Sequence, residues 1–303
     1  FQVQASKHST GTIKKGRVTL RTESSTFDFS VLLEILDEEA PIQIGKESLP
    51  SGKEHVQINN GTLSFTASKD HQGSLTSLKV PALSKKNFFQ SSWPNVRPLS
   101  WYSHWYGGVS PIIVNPLGWG RITRHETFER ELVKRRRKQG VKYVCNLASR
   151  EQYDGLQLAI EYVTLPRSNI LEVTTRLVNP TKGHITFRGG IEAFPTVAES
   201  VKNDMYFKYN EKLTKKRYYS NFQVKKETSK WVVFADERSQ LGMLVIGPNN
   251  KEIPLHITDQ GALANSIETV SEIIIPPQNK KEYSLFFVLS PNYEQLIKYS
   301  TLL

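Results

Sequence analysis

Apolar and polar residues alternate along much of this chain with a period of two. In TFDFSVLLEIL, Phe27, Phe29 and Val31 fall on one side of an extended backbone. Asp37-Glu38-Glu39-Ala40-Pro41 breaks the alternation. LPSGKEHVQI then turns at Pro50-Ser51-Gly52. Asn59-Asn60-Gly61 has hairpin-turn chemistry, because Asn and Gly tolerate positive φ. LSFTAS alternates again, Asp70-His71-Gln72-Gly73 marks the next turn, and SLTSLKV the next strand. Beyond residue 120, VKYVCNLAS, LQLAIEYVTL, NILEVTTRLVNP, ITFRGGIEAFP, KWVVFAD, LGMLVIG, SEIIIPP and KEYSLFFVLS are strand-like runs split by polar turns. Helical signals are few. PNYEQLIKYS reads as a helix begun by Pro291, and HETFERELVKR (His125 to Arg135) fits either a helical turn or two or a strand with charged outward positions. Many strands joined by short turns predict an all-β chain: a large antiparallel β-sandwich with few short helices.

Residues 84–120 depart from this pattern. They are rich in Pro, Gly, Ser and aromatics and have no clean period, which predicts a long loop region with short strands, the kind of segment that often carries function. The break near residues 37–50 divides the chain into 1–45, a β-strand segment that reads as the end of a preceding β module, and 46–303, the sandwich. With Phe1 first and a polar opening, the chain is expected to be a processed form or an excised fragment.

Composition adds constraints. The 303 residues suffice for one large domain, with or without a small one, and 38% hydrophobic content is that of a folded chain. No apolar run approaches the ~18 residues of a membrane span. The net charge of +11 favours anionic partners, so a carbohydrate ligand is expected to be acidic if charged. The densest cluster, Lys134-Arg135-Arg136-Arg137-Lys138, reads as a solvated hairpin end more than as a binding patch. No recognition helix or stacking motif points to nucleic acid. Cys145 is the one cysteine and lies between apolar neighbours in VKYVCNLAS, so no disulfide forms within the chain and core packing is its expected role. Cytoplasmic and secreted locations both fit. No metal-binding spacing occurs, and no cofactor is expected, since GGIEAF and YGGVSP lack the spacing and the Lys of a phosphate loop.

The stretch LQLAIEYVTLPRSNILEVTTRLVNPTKGHITFRGGIEAFP carries a resemblance. Ile160-Glu161-Tyr162, the Asn169 to Val173 strand and the Asn179-Pro180-Thr181 turn, with NGTLSFTASKDHQGSLTSLKV before them, resemble the galactose-mutarotase-like supersandwich over roughly residues 55–290. The resemblance implies two layered sheets with a sugar cleft lined by the strand after the Asn turn. Aldose epimerases of that group carry a His-x-Tyr-Phe-Asn pattern on the cleft strand. This chain has Phe187-Arg188-Gly189-Gly190-Ile191-Glu192-Ala193-Phe194 there, without a histidine, and it also lacks the group's early Asn-Arg pair. The same fold serves epimerases, polysaccharide lyases and noncatalytic domains of glycosidases.

Candidate site residues follow from their chemistry. WPNVRPLSWYSHWYGG (Trp93 to Gly108) holds three of the five tryptophans. Trp93, Trp101, Trp105, Tyr106 and Trp119 offer flat rings for the C–H faces of a sugar, and packing beneath the loop is the competing role for any one of them. His104 within the cluster and His125 are candidate acid–base groups, since imidazole titrates near neutrality. His71, in a turn, is placed to reach the same rim. Glu192 is a candidate base or hydroxyl ligand, with Gly189-Gly190 beside it leaving room for a ligand. Arg188, four residues earlier, shares its face on an extended strand and is a candidate ligand-binding group or its salt-bridge partner. Asn60-Gly61-Thr62 matches a glycosylation sequon, but its role in the turn accounts for it. These residues predict a carbohydrate-binding or accessory domain of a larger protein. The alternatives are an epimerase or polysaccharide lyase using His and Glu, or a protein-interaction module meeting other domains of the same polypeptide.

Overall fold

A computed structural model of the chain describes residues 13–21, 26–34, 40–95, 97–100, 103–105, 107–114, 121–199, 202–217, 223–224, 229–248, 253–259 and 264–301. Two large sheets dominate. The nine-stranded sheet runs in the order Glu129–Arg135, Lys138–Asn146, Gln157–Thr164, Ile170–Asn179, Asn279–Ser290, Leu241–Ile246, Trp231–Asp236, Asp204–Tyr209, Lys212–Lys216. The ten-stranded sheet runs Gln223–Val224, His256–Asp259, Asn265–Glu268, Ile185–Ala193, Val109–Ile113, Ser74–Lys79, Ser64–Ser68, Glu54–Asn59, Gln43–Ser48, with Ser271–Ile275 also paired to the Ile185–Ala193 strand. Pairing is antiparallel in both. This is an all-β supersandwich with few short helices.

Side-chain alternation puts the core between the sheets. Along Ile170–Asn179 half-buried and buried positions alternate without a break. Leu171, Val173 and Leu177 face Phe65, Leu78, Ile191 and Ile267 of the opposite sheet within one continuous apolar cluster. Cys145 belongs to the same cluster, and burial pushes its thiol up to about 12. A second cluster lies on the outside of the nine-stranded sheet, where Tyr293 and Leu296 of the helix Tyr293–Ser300 cover Trp231, Val233, Ala235 and Leu244. That helix begins at Tyr293, two residues after Pro291. Asn292 is its N-cap, its side chain accepting from the Gln295 amide, which satisfies an otherwise orphaned donor. No helix among the described residues is long and apolar enough to cross a membrane.

Several turns follow the local chemistry. The basic run forms the tip of a hairpin, with Arg136 at φ 51 between paired Arg135 and Lys138. His125 to Arg135 divides: a 3-10 turn over Ile122–His125, then the strand Glu129–Arg135. Gln43–Ser48 straddles the expected boundary after residue 45 and pairs with Glu54–Asn59 as the edge of the sandwich sheet. The strands Ile13–Arg21 and Thr26–Glu34 form a separate two-stranded sheet. Asn60, buried in the Asn-Asn-Gly turn, does more than turn the chain. Its amide donates to Thr164 Oγ1 and to the Leu165 and Ser168 carbonyls at 2.8 to 2.9 Å, tying this turn to the opposite sheet.

Candidate ligand site on the ten-stranded sheet

The strand Ile185–Ala193 is central to the ten-stranded sheet. Its Ile185, Phe187, Ile191 and Ala193 enter the core, so Arg188, Gly190 and Glu192 lie on the opposite, outer face. Cross-strand register then builds a polar row on that face. Ser74 and Ser110 hydroxyls hydrogen-bond at 2.8 Å, Ser110 is opposite Glu192, Glu192 opposite Glu268, and Glu268 opposite His256. Ser74, Ser110 and Glu192 are buried, while Glu268 and His256 are half-buried, so the row opens at its Glu268–His256 end.

Glu192 forms an ion pair with Arg121, which enters from the residue preceding the 3-10 turn Ile122–His125. Burial raises the Glu192 carboxyl to about 7. Arg121 opposes the rise, and the carboxyl of Glu268, opposite it on the neighbouring strand, adds to it. A carboxyl held near neutrality, paired with a guanidinium and flanked by a second carboxyl, can bind hydroxyls or exchange protons.

The frame around the row is tight. Gly108 lies at φ 80, and a Cβ there would sit 2.1 Å from the Leu75 carbonyl oxygen, so only glycine permits this close crossing of strands. Tyr162 reaches across from the other sheet, accepting from the Leu75 amide and donating to the Val109 carbonyl, each at 3.1 Å. It thereby closes the gap between strands that pair only at Leu75 and Val109.

No family model and no curated protein matches the sequence. Solved structures do. A galactose mutarotase-like protein from Clostridium acetobutylicum superposes with a TM-score of 0.59 at 11% identity, covering 82% of this chain and 98% of that one. A galactose 1-epimerase from Lactobacillus acidophilus gives 0.58 at 10% identity, covering 83% and 99%. A TPR-domain containing protein from Parabacteroides distasonis gives 0.57 at 12% identity and covers 79% of this chain, which spans 47% of that protein's length. The chain has the galactose-mutarotase-like supersandwich fold.

On this supersandwich the sequence-predicted residues separate. Glu192 and Arg188 share the outer face, but Glu192 takes Arg121 as its ion-pair partner, and exposed Arg188 stands opposite Glu272. Gly189 and Gly190 do not leave space for a ligand. A Cβ on Gly189 would meet the Ile112 carbonyl oxygen at 2.8 Å, and one on Gly190 the Thr269 carbonyl oxygen at 2.6 Å, so both accommodate neighbouring backbone. His71 is buried in a 3-10 turn and stacks on Trp93, ring centroids 5.0 Å apart and 12° from parallel. Burial lowers its pKa to about 4, so it stays neutral at physiological pH. Half-buried Trp93 also lies 4.6 Å from the Lys53 ammonium, so the imidazole takes one of its faces and the cation also contacts the ring. His125 is exposed at the end of its 3-10 turn, while Glu126 accepts from the Ala148 and Ser149 amides and holds that loop. His104 and Trp105 lie on the short strand Ser103–Trp105, opposite Pro98 and Arg97. Trp101, Tyr106 and Trp119 lie outside the described residues. Arg121, Glu268 and His256 were not foreseen from sequence. Nothing in their local context marks them, and only strand register brings them to Glu192.

Proposed function

We propose that this chain is a carbohydrate-recognition domain whose ligand contacts the outer face of the ten-stranded sheet at Glu192 and Arg121. The observation that carries this reading is the ion pair itself. Its carboxylate side chain is 5% exposed and its guanidinium 25%. Removing such charges from water costs several kcal/mol per ion, a cost that apolar packing on the same face would avoid. Perturbed, partly buried charges are a frequent mark of a functional site. Fixed carboxylate and guanidinium groups suit the paired hydroxyls of a sugar ring. The likeness to proteins described as galactose mutarotase-like and as a galactose 1-epimerase supports sugar as the ligand class.

Titration of the protein with a panel of neutral and acidic mono- and oligosaccharides, followed by NMR, tests the reading. Binding that weakens at least about tenfold in Arg121→Ala, about 1.4 kcal/mol, is the expected result. No binding across the panel, or binding unchanged by Arg121→Ala, overturns it. Trp101→Ala and Trp105→Ala test whether the aromatic loop shares the ligand.

A second reading, an acid–base enzyme on sugar, is favoured by Glu192 alone, because a carboxyl near pH 7 suits general acid–base catalysis. Anomeric exchange by NMR, or uronate cleavage by absorbance, lost in Glu192→Gln, is the result this second reading requires.

A further inference from the structure

The nine-stranded sheet has a hollow on its own outer face. A cavity of about 80 Å³ opens over the strands Lys138–Asn146, Gln157–Thr164 and Ile170–Asn179, with both sheets between it and the Glu192 face. One small side chain makes it. Ala159 is the floor, opposite Val144 on one side and Arg176 on the other, while most of its neighbours on that face are long and charged. Glu161, two residues on, is buried, with Lys142 opposite it on one side and Thr174 on the other. Strand alternation brings Arg135 and Lys138, paired at the base of the basic hairpin, to the same face.

Among the described residues, four cations and three carboxylates line the cavity. Each carboxylate has a cation of the lining as its partner: Glu161 takes Arg135 at 2.8 Å, Glu172 takes Lys138 at 2.5 Å, and Glu282 takes Arg176 at 2.5 Å. Lys142 is the fourth cation. Its partner at 2.5 Å, Glu131, stands outside the lining with its side chain 56% exposed, whereas that of Lys142 is 21% exposed. We propose that this hollow binds an oxyanion group, a phosphate or sulfate, which displaces Glu131 from Lys142 and takes the remaining donors of Arg135 and Arg176.

Three observations carry this. The lining has an excess of positive charge, and the chain's net charge of +11 draws anions toward it. Arg135 gives one N–H to Glu161, and Arg176 gives its Nε–H to Glu282, which leaves most of each guanidinium fork for a ligand. Such forks match the oxygens of a phosphate or sulfate, and the Lys142 ammonium adds a point charge. The cavity is far smaller than the ~300 Å³ of the smallest pockets for drug-sized ligands, so it takes one small group and not a sugar ring. The arrangement is also focused. Burial raises the Glu161 carboxyl, and Arg135, Arg176 and Lys142 all oppose the rise, so these cations surround one point of the cavity wall. An incoming anion replaces exposed Glu131, and buried Glu161 keeps Arg135.

The site does not rest on the sugar reading of the other sheet, and a chain that binds no sugar would leave it standing. The full chain, labelled with ¹⁵N, is titrated by NMR with inorganic phosphate and, separately, with sulfate, chloride holding the ionic strength constant. Saturable shifts are expected in the amides of residues 138–142, 159–161 and 174–176. Glu131→Gln removes the competing carboxylate and is expected to tighten binding about threefold. Lys142→Gln is expected to weaken it about tenfold. Glu211→Gln, exposed at the other edge of the same sheet, changes the net charge equally and is expected to leave the affinity as it was. Shifts that never saturate, or that spread over the basic surface and miss the cavity, overturn the proposal. So does an affinity unchanged in Glu131→Gln, a result that stands even if Lys142→Gln fails to fold. Equal tightening in Glu131→Gln and Glu211→Gln overturns it as well, because net charge alone would then be acting. A phosphate monoester run beside the free ions identifies the source. Binding of a free ion assigns an inorganic anion, binding of the ester alone assigns a phosphate carried on a larger molecule, and either supports the site.

Discussion

Replacing Glu192 by Gln removes one ionisation from the middle of the ten-stranded sheet and leaves the side-chain shape nearly unchanged. In the folded chain burial holds the Glu192 carboxyl at about 7, against an ordinary value of 4.5. The folded state therefore keeps a proton that the unfolded chain has released. The stability this proton contributes is fully present below about pH 4.5, declines as the pH rises, and is lost above about 7. At about 1.36 kcal/mol per pH unit, the gap is worth about 3 kcal/mol. That is a readable share of the about 5–15 kcal/mol that separates a folded domain from its unfolded chain. Urea denaturation of both proteins between pH 4.5 and 8, followed by tryptophan fluorescence, isolates the effect. The carboxyls of half-buried Glu54 and exposed Glu237 are shifted the opposite way, by Lys46 and Lys215, and weaken folding as the pH falls. They are present in both proteins and cancel in the difference. The stability of the wild type relative to Glu192→Gln is expected to fall by about 3 kcal/mol from pH 4.5 to 7.5 and to level off above that. A difference that stays constant across this range would refute the burial argument and the perturbed ionisation with it.

Two further predictions concern the frame. Asn60→Ala removes the amide that donates to the opposite sheet and accepts from the Thr62 and Leu63 amides, leaving several buried partners unpaired. A loss of about 4 kcal/mol is expected in urea denaturation, and a loss below about 1 kcal/mol would show that the turn, not the clamp, is its role. Cys145, with its thiol raised to about 12, is expected to resist an aromatic disulfide reagent in native buffer and to react at once in denaturant. Rapid labelling of the native protein would place it at the surface.

Much of the fold was legible in the chain because its signals are local. A strand buried on one face shows itself by alternation, as Ile170–Asn179 does residue by residue. The Asn-Asn-Gly turn, the basic hairpin tip and the C-terminal helix are likewise decided by neighbours a few positions apart, apart from the one-residue choice of Asn292 as cap. Alternation also placed Arg188 and Glu192 on one face. It could not say what stands opposite them, because strand order and register are set by how two sheets bury their shared core. The partners of Glu192 come from about 70 residues on either side: Arg121 from before a 3-10 turn, Glu268 from a four-residue strand, His256 from the strand beyond it. The glycines beside Glu192 carried a misleading signal for the same reason. Their missing side chains make room for the carbonyls of Ile112 and Thr269, and those neighbours exist only once the sheet has formed. Trp93 shows the same division: its ring was evident in the sequence as a flat surface, but packing gave one face of it to His71. Period-two patterning along the backbone is enough to specify strands and the face each side chain takes. Which charges meet across those strands was decided by tertiary pairing.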